Sequence, residues 1–279
     1  MNTKVILLFA ILALIIATPI YANFLIEKVD VTISDIQSDG SANVHESIKF
    51  IIFGDFESSV YDASINSNNL SVWSNNIGLN QVKIHVNTAK VDVQDFRLRP
   101  QPRTKCNPIQ GVCHGELILD YLAYPSFNTT TSEIVPGTGL FTIEKYKPRT
   151  KRYKLNPASF SFMTTADGNI ILDDTTNLII ALPQDSIALD VNPQPTDGSL
   201  TLPGKISSLS WNDIVLVKFS LIFDVEDSID KEVSDFFGTI ISTIAETLRS
   251  PHGGALVVLL IILIGSYLYI IMSKRRGEK

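Results

Sequence analysis

The feature that most constrains this chain is an uncharged apolar run near its carboxyl end, Ala255 to Met272, which reads ALVVLLIILIGSYLYIIM. At about 1.5 Å per residue, a helix of this length covers roughly 27 Å, close to the hydrocarbon thickness of a bilayer. The run predicts a transmembrane helix over 255–272. By the positive-inside rule, the bases that follow place the tail 273–279 in the cytoplasm; they are Lys274, Arg275, Arg276 and Lys279.

The amino end has the layout of a secretory signal peptide. Lys4 precedes an unbroken apolar run over 5–17, Pro19 ends it, and Ala22 offers a small residue at a cleavage position. We therefore predict a signal peptide over 1–22, with an uncleaved anchor as the alternative. Both ends predict a single-pass protein of the cell membrane, with its ectodomain outside, its tail in the cytoplasm, and lipid as the partner of its anchor.

The ectodomain has the sequence pattern of antiparallel sheets. Runs that alternate between apolar and polar residues are separated by Gly, Pro, Asn and Asp, which is typical of strands joined by turns. We predict a mainly β fold of one or two antiparallel, Ig-like β-sandwich modules, over 23–125 and 139–226. The Ser-, Thr-, Pro- and Gly-rich segment 125–139 is either a boundary or a long loop within one domain. The predicted strands are 24–34, 44–53, 81–88, 91–99, 116–124, 140–147, 159–164, 169–172, 177–182, 186–191 and 214–225.

One ectodomain helix is predicted, over 228–249, beside the membrane. Asp227 or Ser228 suits its N-cap, and Pro251 ends it. Its apolar residues recur every three or four positions and form one stripe. The stripe is either an oligomerisation surface or a cover for the open face of the β domain. No helical apolar period is found before Asp227.

The two cysteines, Cys106 and Cys113, are predicted to form a disulfide, because the predicted location is oxidising. The histidines are His45, His85, His114 and His252, and no two have metal-ligand spacing on one element. Neither a catalytic motif nor a nucleotide-binding motif is present. We therefore predict no enzyme activity, no cofactor and no metal. An extracytoplasmic hydrolase is the alternative, since catalytic groups can converge in space without a sequence motif.

Charge is distributed unevenly. Residues 23–253 hold 18 Lys and Arg against 28 Asp and Glu, a net charge of −10, which argues against nucleic acid as a partner. Ten of those bases fall in two short segments and either form a binding patch or neutralise nearby acids. A patch would suit an acidic protein, a glycan or an anionic headgroup. The ten bases are Arg97, Arg99, Arg103, Lys105, Lys145, Lys147, Arg149, Lys151, Arg152 and Lys154.

Two N-glycosylation sequons lie in polar stretches, at Asn69-Leu70-Ser71 and Asn128-Thr129-Thr130. They predict a glycoprotein with sugars on Asn69 and Asn128.

Two groups of residues also resemble known sequences. Asp39-Gly40-Ser41, followed by the stretch 44–48 (VHESI), resembles the opening of prokaryotic membrane proteins with an extracytoplasmic β domain. Leu182-Pro183, Asn192-Pro193, Trp211 and the stretch 219–226 are similar to envelope proteins of archaeal genomes. The resemblance implies an architecture and no activity.

These features together predict a cell-envelope protein whose ectodomain serves binding, adhesion or assembly. The alternative is an accessory subunit of a membrane-embedded secretion, transport or surface-filament complex.

Overall fold

A computed structural model describes residues 24–226, except 108, 128, 129, 132, 148 and 199, and also positions 238, 242, 243 and 245. The predicted signal peptide, transmembrane helix and cytoplasmic tail lie outside these residues. In the predicted helix 228–249, the four described positions are helical. No helix within the described ranges is long and apolar enough to span a bilayer. The chain divides into two compact units between Val225 and Glu226, and nearly all of the described residues belong to the first.

In the described part of the chain, twelve strands form two sheets, which confirms the predicted mainly β fold. The strands are β1 (Phe24–Ser34), β2 (Ala42–Phe53), β3 (Asp92–Asn107), β4 (Val112–Tyr124), β5 (Phe141–Lys147), β6 (Thr150–Leu155), β7 (Met163–Thr164), β8 (Ile170–Ala181), β9 (Ile187–Asn192), β10 (Gly204–Lys205), β11 (Ser208–Leu216) and β12 (Ser220–Glu226). The first sheet has the order β11-β8-β1-β2-β4-β3, with β7 also paired to β8, and the second has the order β10-β9-β12-β6-β5.

Alternation explains why these strands form a sheet with one buried face. In β1, Val29, Val31 and Ile33 are buried, whereas the residues between them are partly exposed. The same period of two recurs along β2 and β4. Successive side chains of a strand point to opposite faces, so the first sheet has an inner apolar face and an outer polar face.

The prediction of purely antiparallel sheets is wrong at one pair. β1 and β8 are parallel, with Val29 opposite Thr176. The reason is the short β7–β8 hairpin, in which Met163 pairs with Ile171, because it reverses the chain just before β8 enters the sheet. The predicted strands 169–172 and 177–182 are both part of β8, and the predicted strand 214–225 is divided between β11 and β12 by a turn.

Two helices before Asp227 contradict the sequence interpretation. They are α1 (Asp55–Ser64) and α2 (Leu70–Ile77). The Asn69 side chain accepts a hydrogen bond from the N–H of Ser71 at 2.9 Å and caps α2, and Gly78, with φ of 72°, ends it. Each helix is only two or three turns long and buries only two or three residues, so the helical period is easily overlooked.

The helices cover part of the inner face through aromatic contacts. Tyr61 of α1 lies 5.6 Å from the Phe50 ring and 5.1 Å from the Trp73 ring of α2, both edge-on. Gly115 of β4 makes room for this packing, since a Cβ there would lie 2.6 Å from Phe50 and 2.7 Å from Tyr61. One hydrophobic core joins residues of both sheets, such as Ile48 of β2 and Phe223 of β12.

The segment 81–88, predicted as a strand, is not one. Val82 and Val86 are buried, which produces the alternating pattern. However, the His85 N–H donates to the Glu46 carboxylate at 2.9 Å and not to a neighbouring strand. Only Val86 forms an isolated bridge, with Phe160.

Candidate functional site

The outer face of the first sheet carries a band of polar side chains along β1, β2, β4 and β3. We call this band the polar strip. It lies on the side of the sheet opposite the core, and a surface depression occupies each of its ends. The polar strip comprises Glu27, Lys28, His45, Ser47, Lys49, Asp95, Arg97, Arg99, Gln101, Lys105, His114, Glu116 and Asp120.

The first depression, of about 420 Å³, is lined by residues that include Asn43, His45, Asp95, Arg97 and Asp120. His45 Nδ1 lies 2.7 Å from Asp120 Oδ1, and Arg99 Nε donates to Asp120 Oδ2 at 3.0 Å. Burial raises the pKa of Asp120, but the bonds from His45 and Arg99 outweigh it, so the net shift is downward. The carboxylate thus stays ionised and holds both side chains in place.

The second depression, of about 380 Å³, lies at the other end of the same strands. His114 Nδ1 lies 2.8 Å from Glu27 Oε2. Glu116 accepts from Ser47 Oγ at 2.6 Å and has Lys49 Nζ at 3.8 Å. The carboxylates here are therefore also paired within the protein.

Two bases of the polar strip have no acidic partner within the described part of the chain. Arg97 lines the first depression and Lys105 the second. Arg97 lies opposite Asp120, and Thr104, next to Lys105, lies opposite His114, so the two positions are six residue steps apart on β4. At about 3.3 Å per residue the two bases are about 20 Å apart along the strands.

The ten bases predicted as a binding patch lie on two different sheets. Arg97, Arg99, Arg103 and Lys105 are on β3. Lys145, Lys147, Arg149, Lys151, Arg152 and Lys154 are on the β5–β6 hairpin of the second sheet. The predicted patch remains a prediction, and only its β3 half borders the two depressions.

Several of these bases neutralise acids, as the alternative interpretation expected. Arg103 Nη2 lies 2.6 Å from Asp62 and Arg152 Nε 2.8 Å from Asp224. Each pair is doubly bonded, and the Asp partner raises the pKa of both guanidinium groups. Lys154 pairs with Glu144 at 2.8 Å. Since β3 and β5 are edge strands, such charges also discourage pairing with other chains.

A buried polar cluster lies on the inner face, where sequence analysis did not expect one. Glu46 is 0% exposed and accepts from the His85 N–H; it also contacts His85 Nδ1 at 2.7 Å and the Tyr121 hydroxyl. His85 also lines a cavity of about 90 Å³. The alternation along β2 could have revealed the burial of Glu46, because Glu46 lies on the same face of the strand as Val44 and Ile48.

The remaining predicted sites have separate outcomes. The predicted disulfide between Cys106 and Cys113 is confirmed, and it closes the β3–β4 hairpin. Asn69 is exposed at the N-cap of α2, whereas Asn128 and His252 lie outside the described residues. In the ranges that the structure describes, no three metal-ligating side chains cluster.

The three described histidines have similar surroundings. His45, His85 and His114 each contact a carboxylate through Nδ1 and each line a cavity or depression. None of the three rings is hydrogen-bonded to a Ser, Thr or Cys side chain of the described residues. The arrangement therefore orients imidazoles but provides no paired nucleophile.

No protein-family model matches the sequence, and no curated protein matches it.

Proposed function

We propose that this chain is a single-pass cell-envelope protein whose two sheets form a β-sandwich ectodomain that acts as a binding module, not as an enzyme. The polar strip is its ligand surface. The anchor is the apolar run 255–272, and the signal peptide 1–22 directs export.

One observation carries the proposal: the outer face holds a row of polar side chains that are already fixed by internal bonds. Asp120 fixes His45 and Arg99, Glu116 fixes Ser47, and Glu27 fixes His114. Ordering these groups before binding reduces the entropy lost when a ligand arrives.

Blocking the face tests the proposal. The full chain in lipid vesicles is incubated with envelope fragments of the source cells, and binding is measured by co-sedimentation. Ser34→Trp fills the first depression and Gln101→Trp fills the second, so both should weaken binding several-fold. Ile187→Trp places the same side chain at an exposed position of the second sheet and should leave binding unchanged. If both blocking variants bind like the wild type, the polar strip is not the ligand surface.

A second candidate function, an accessory subunit of a membrane complex, is favoured by exposed apolar residues at one end of the first sheet. Ile109 at the tip of the β3–β4 hairpin is 95% exposed, and Leu25, Phe53 and Phe56 are exposed at the same end. Exposed apolar clusters often mark protein interfaces. Crosslinking in intact membranes, followed by mass spectrometry, distinguishes the two functions, because only a subunit gives a constant partner set through this end.

A further inference from the structure

The unused hydrogen-bonding capacity of the polar strip indicates the chemistry of its ligand. Four carboxylates of the strip, or next to it, already accept bonds or ion pairs from inside the protein: Glu27, Asp30, Glu116 and Asp120. Two donors, Arg97 and Lys105, have no such partner among the described residues. Arg99 donates to Asp120 through its Nε and Nη2 groups only. The hydrogen-bonding groups of the strip that remain available to a ligand are therefore mainly cationic donors.

Cationic donors select ligands that are rich in acceptors, above all carboxylate, sulfate or phosphate oxygens. One carboxylate of the first depression, Asp95, has no basic partner in the described ranges and opposes such a ligand. Removing the negative charge of Asp95 should therefore strengthen the binding of an anionic ligand, which is a separate test.

The geometry selects an extended ligand. Arg97 and Lys105 are about 20 Å apart at opposite ends of the strip, so a single small anion cannot contact both. β1, β2 and β4 are paired on both sides, so a peptide that lies across the strip finds no free backbone there, and only the outer edge of β3, beside the strip, is open to such pairing. Across the strip the contacts are made by side chains, which are mainly polar, with Ile118 of β4 among them. Polar side chains suit the hydroxyl and acid groups of a sugar chain.

We infer that the polar strip binds a linear acidic glycan that lies along the strands and reaches from Arg97 to Lys105. This inference rests on the proposed function and adds the class of ligand. Arg97 and Lys105 each contact an acid group of the glycan, and the fixed side chains between them bond its hydroxyl groups.

Calorimetry on the full chain in detergent micelles, with defined polymers, tests the inference. Polygalacturonate should bind and neutral dextran should not. Arg97→Gln and Lys105→Gln should each weaken binding about tenfold at low salt, as expected for the loss of one charged hydrogen bond. Asp95→Asn should strengthen binding. Lys154→Gln removes an equal charge from the second sheet and should have no effect. Added salt should weaken binding, since exposed charges are screened.

Three results would overturn the inference: equal binding of dextran, no effect of Arg97→Gln and Lys105→Gln, or tighter binding of poly-glutamate than of polygalacturonate. Galacturonate monomer that binds as tightly as the polymer would likewise refute the bridging of the two ends. The proposed function has its own test: if envelope fragments bind in a manner sensitive to Ser34→Trp and Gln101→Trp while polygalacturonate does not bind, the ligand class is wrong and the binding surface stands.

Discussion

At the scale of single residues, Glu46 stands out as an acidic side chain within the core. Its carboxylate is fully buried and is held by the backbone and ring of His85 and by Tyr121. A buried charge is tolerated only when it is paired and hydrogen-bonded. The cluster also holds the segment 81–88 over the sheet, since the His85 N–H is bound by a side chain of β2.

We expect Glu46→Ala to lower the free energy of unfolding by about 3–5 kcal/mol, because removing one partner leaves buried polar groups unsatisfied. Glu46→Gln keeps two polar atoms in place and should cost less. Urea unfolding of the chain in detergent, followed by tryptophan fluorescence, measures both. Equal losses for the two variants would contradict this expectation, because Gln nearly preserves the volume and the polar atoms of Glu and would then recover no stability.

Tyr61 gives a prediction for alkaline pH. Burial raises the pKa of Tyr61 to about 12, partly offset by its bond with the backbone of Glu116. The unfolded phenol ionises near 10. Because the folded pKa is the higher one, this contribution to stability is complete below about pH 10 and is lost as the pH rises toward 12.

In Tyr61→Phe this loss is absent. The free energy of unfolding should therefore fall less steeply between pH 10 and 12 than in the wild type, by up to about 1.4 kcal/mol per pH unit. Val60→Ala, a change on the same helix with no titrating group, should keep the wild-type slope. An unchanged slope in Tyr61→Phe would show that Tyr61 ionises equally in both states.

At the scale of elements, strands were easier to predict than helices. The sequence predicts β1 with its observed ends, because apolar residues that enter the core alternate along it. The sequence signals for α2 are local: Asn69 can cap a helix and Gly78 can end one. Its two buried residues, Trp73 and Ile77, are four positions apart, and a single such spacing does not establish a helical period. The segment 81–88 could not be assigned from periodicity, since its partner is the side chain of Glu46 and lies in another element.

The cap of α2 can be tested separately from the sequon that shares its residue. Asn69→Ala and Asn69→Ser both remove the sequon, but only Ser can still accept a hydrogen bond from the helix amide groups. Asn69→Ala should therefore be about 1 kcal/mol less stable than Asn69→Ser. Thermal unfolding of the two variants measures this difference, and equal stability would argue against the cap.

The hairpin disulfide gives a second prediction at this scale. Replacing both Cys106 and Cys113 with Ser should lower the free energy of unfolding by about 2.5 kcal/mol, the chain-entropy value for so short a loop. Reduction of the wild type should give the same loss. Unchanged stability in both cases would mean that the β3–β4 pairing alone restricts the unfolded hairpin.

At the scale of the whole molecule, the number of modules was the question that the sequence left open. The segment 125–139 has the composition of a linker, but composition does not reveal whether two sheets share a core. Residues of both sheets do belong to one core. The polar strip is also beyond prediction from sequence, because its residues come from four strands that become neighbours only through the non-local pairing of β2 with β4.

A shared core predicts one cooperative unfolding transition for residues 24–226. Ile48→Ala in the first sheet and Phe223→Ala in the second should each lower the midpoint of the whole transition. Near-ultraviolet circular dichroism and hydrogen exchange of both sheets report this. Two separate transitions, each sensitive to one variant only, would show that the sheets unfold independently.

The parallel pairing of β1 and β8 also bears on how the protein is made. Asp30 and Asn177, which are hydrogen-bonded across this pair, are 147 residues apart. A chain that is synthesised from its amino end therefore delivers β1 long before its neighbour. Until β8 follows, one side of β1 presents unpaired amides to every other nascent chain nearby, and contacts this distant in sequence form slowly. Until β8 is available, β1 thus has a defined strand edge that a chaperone can protect.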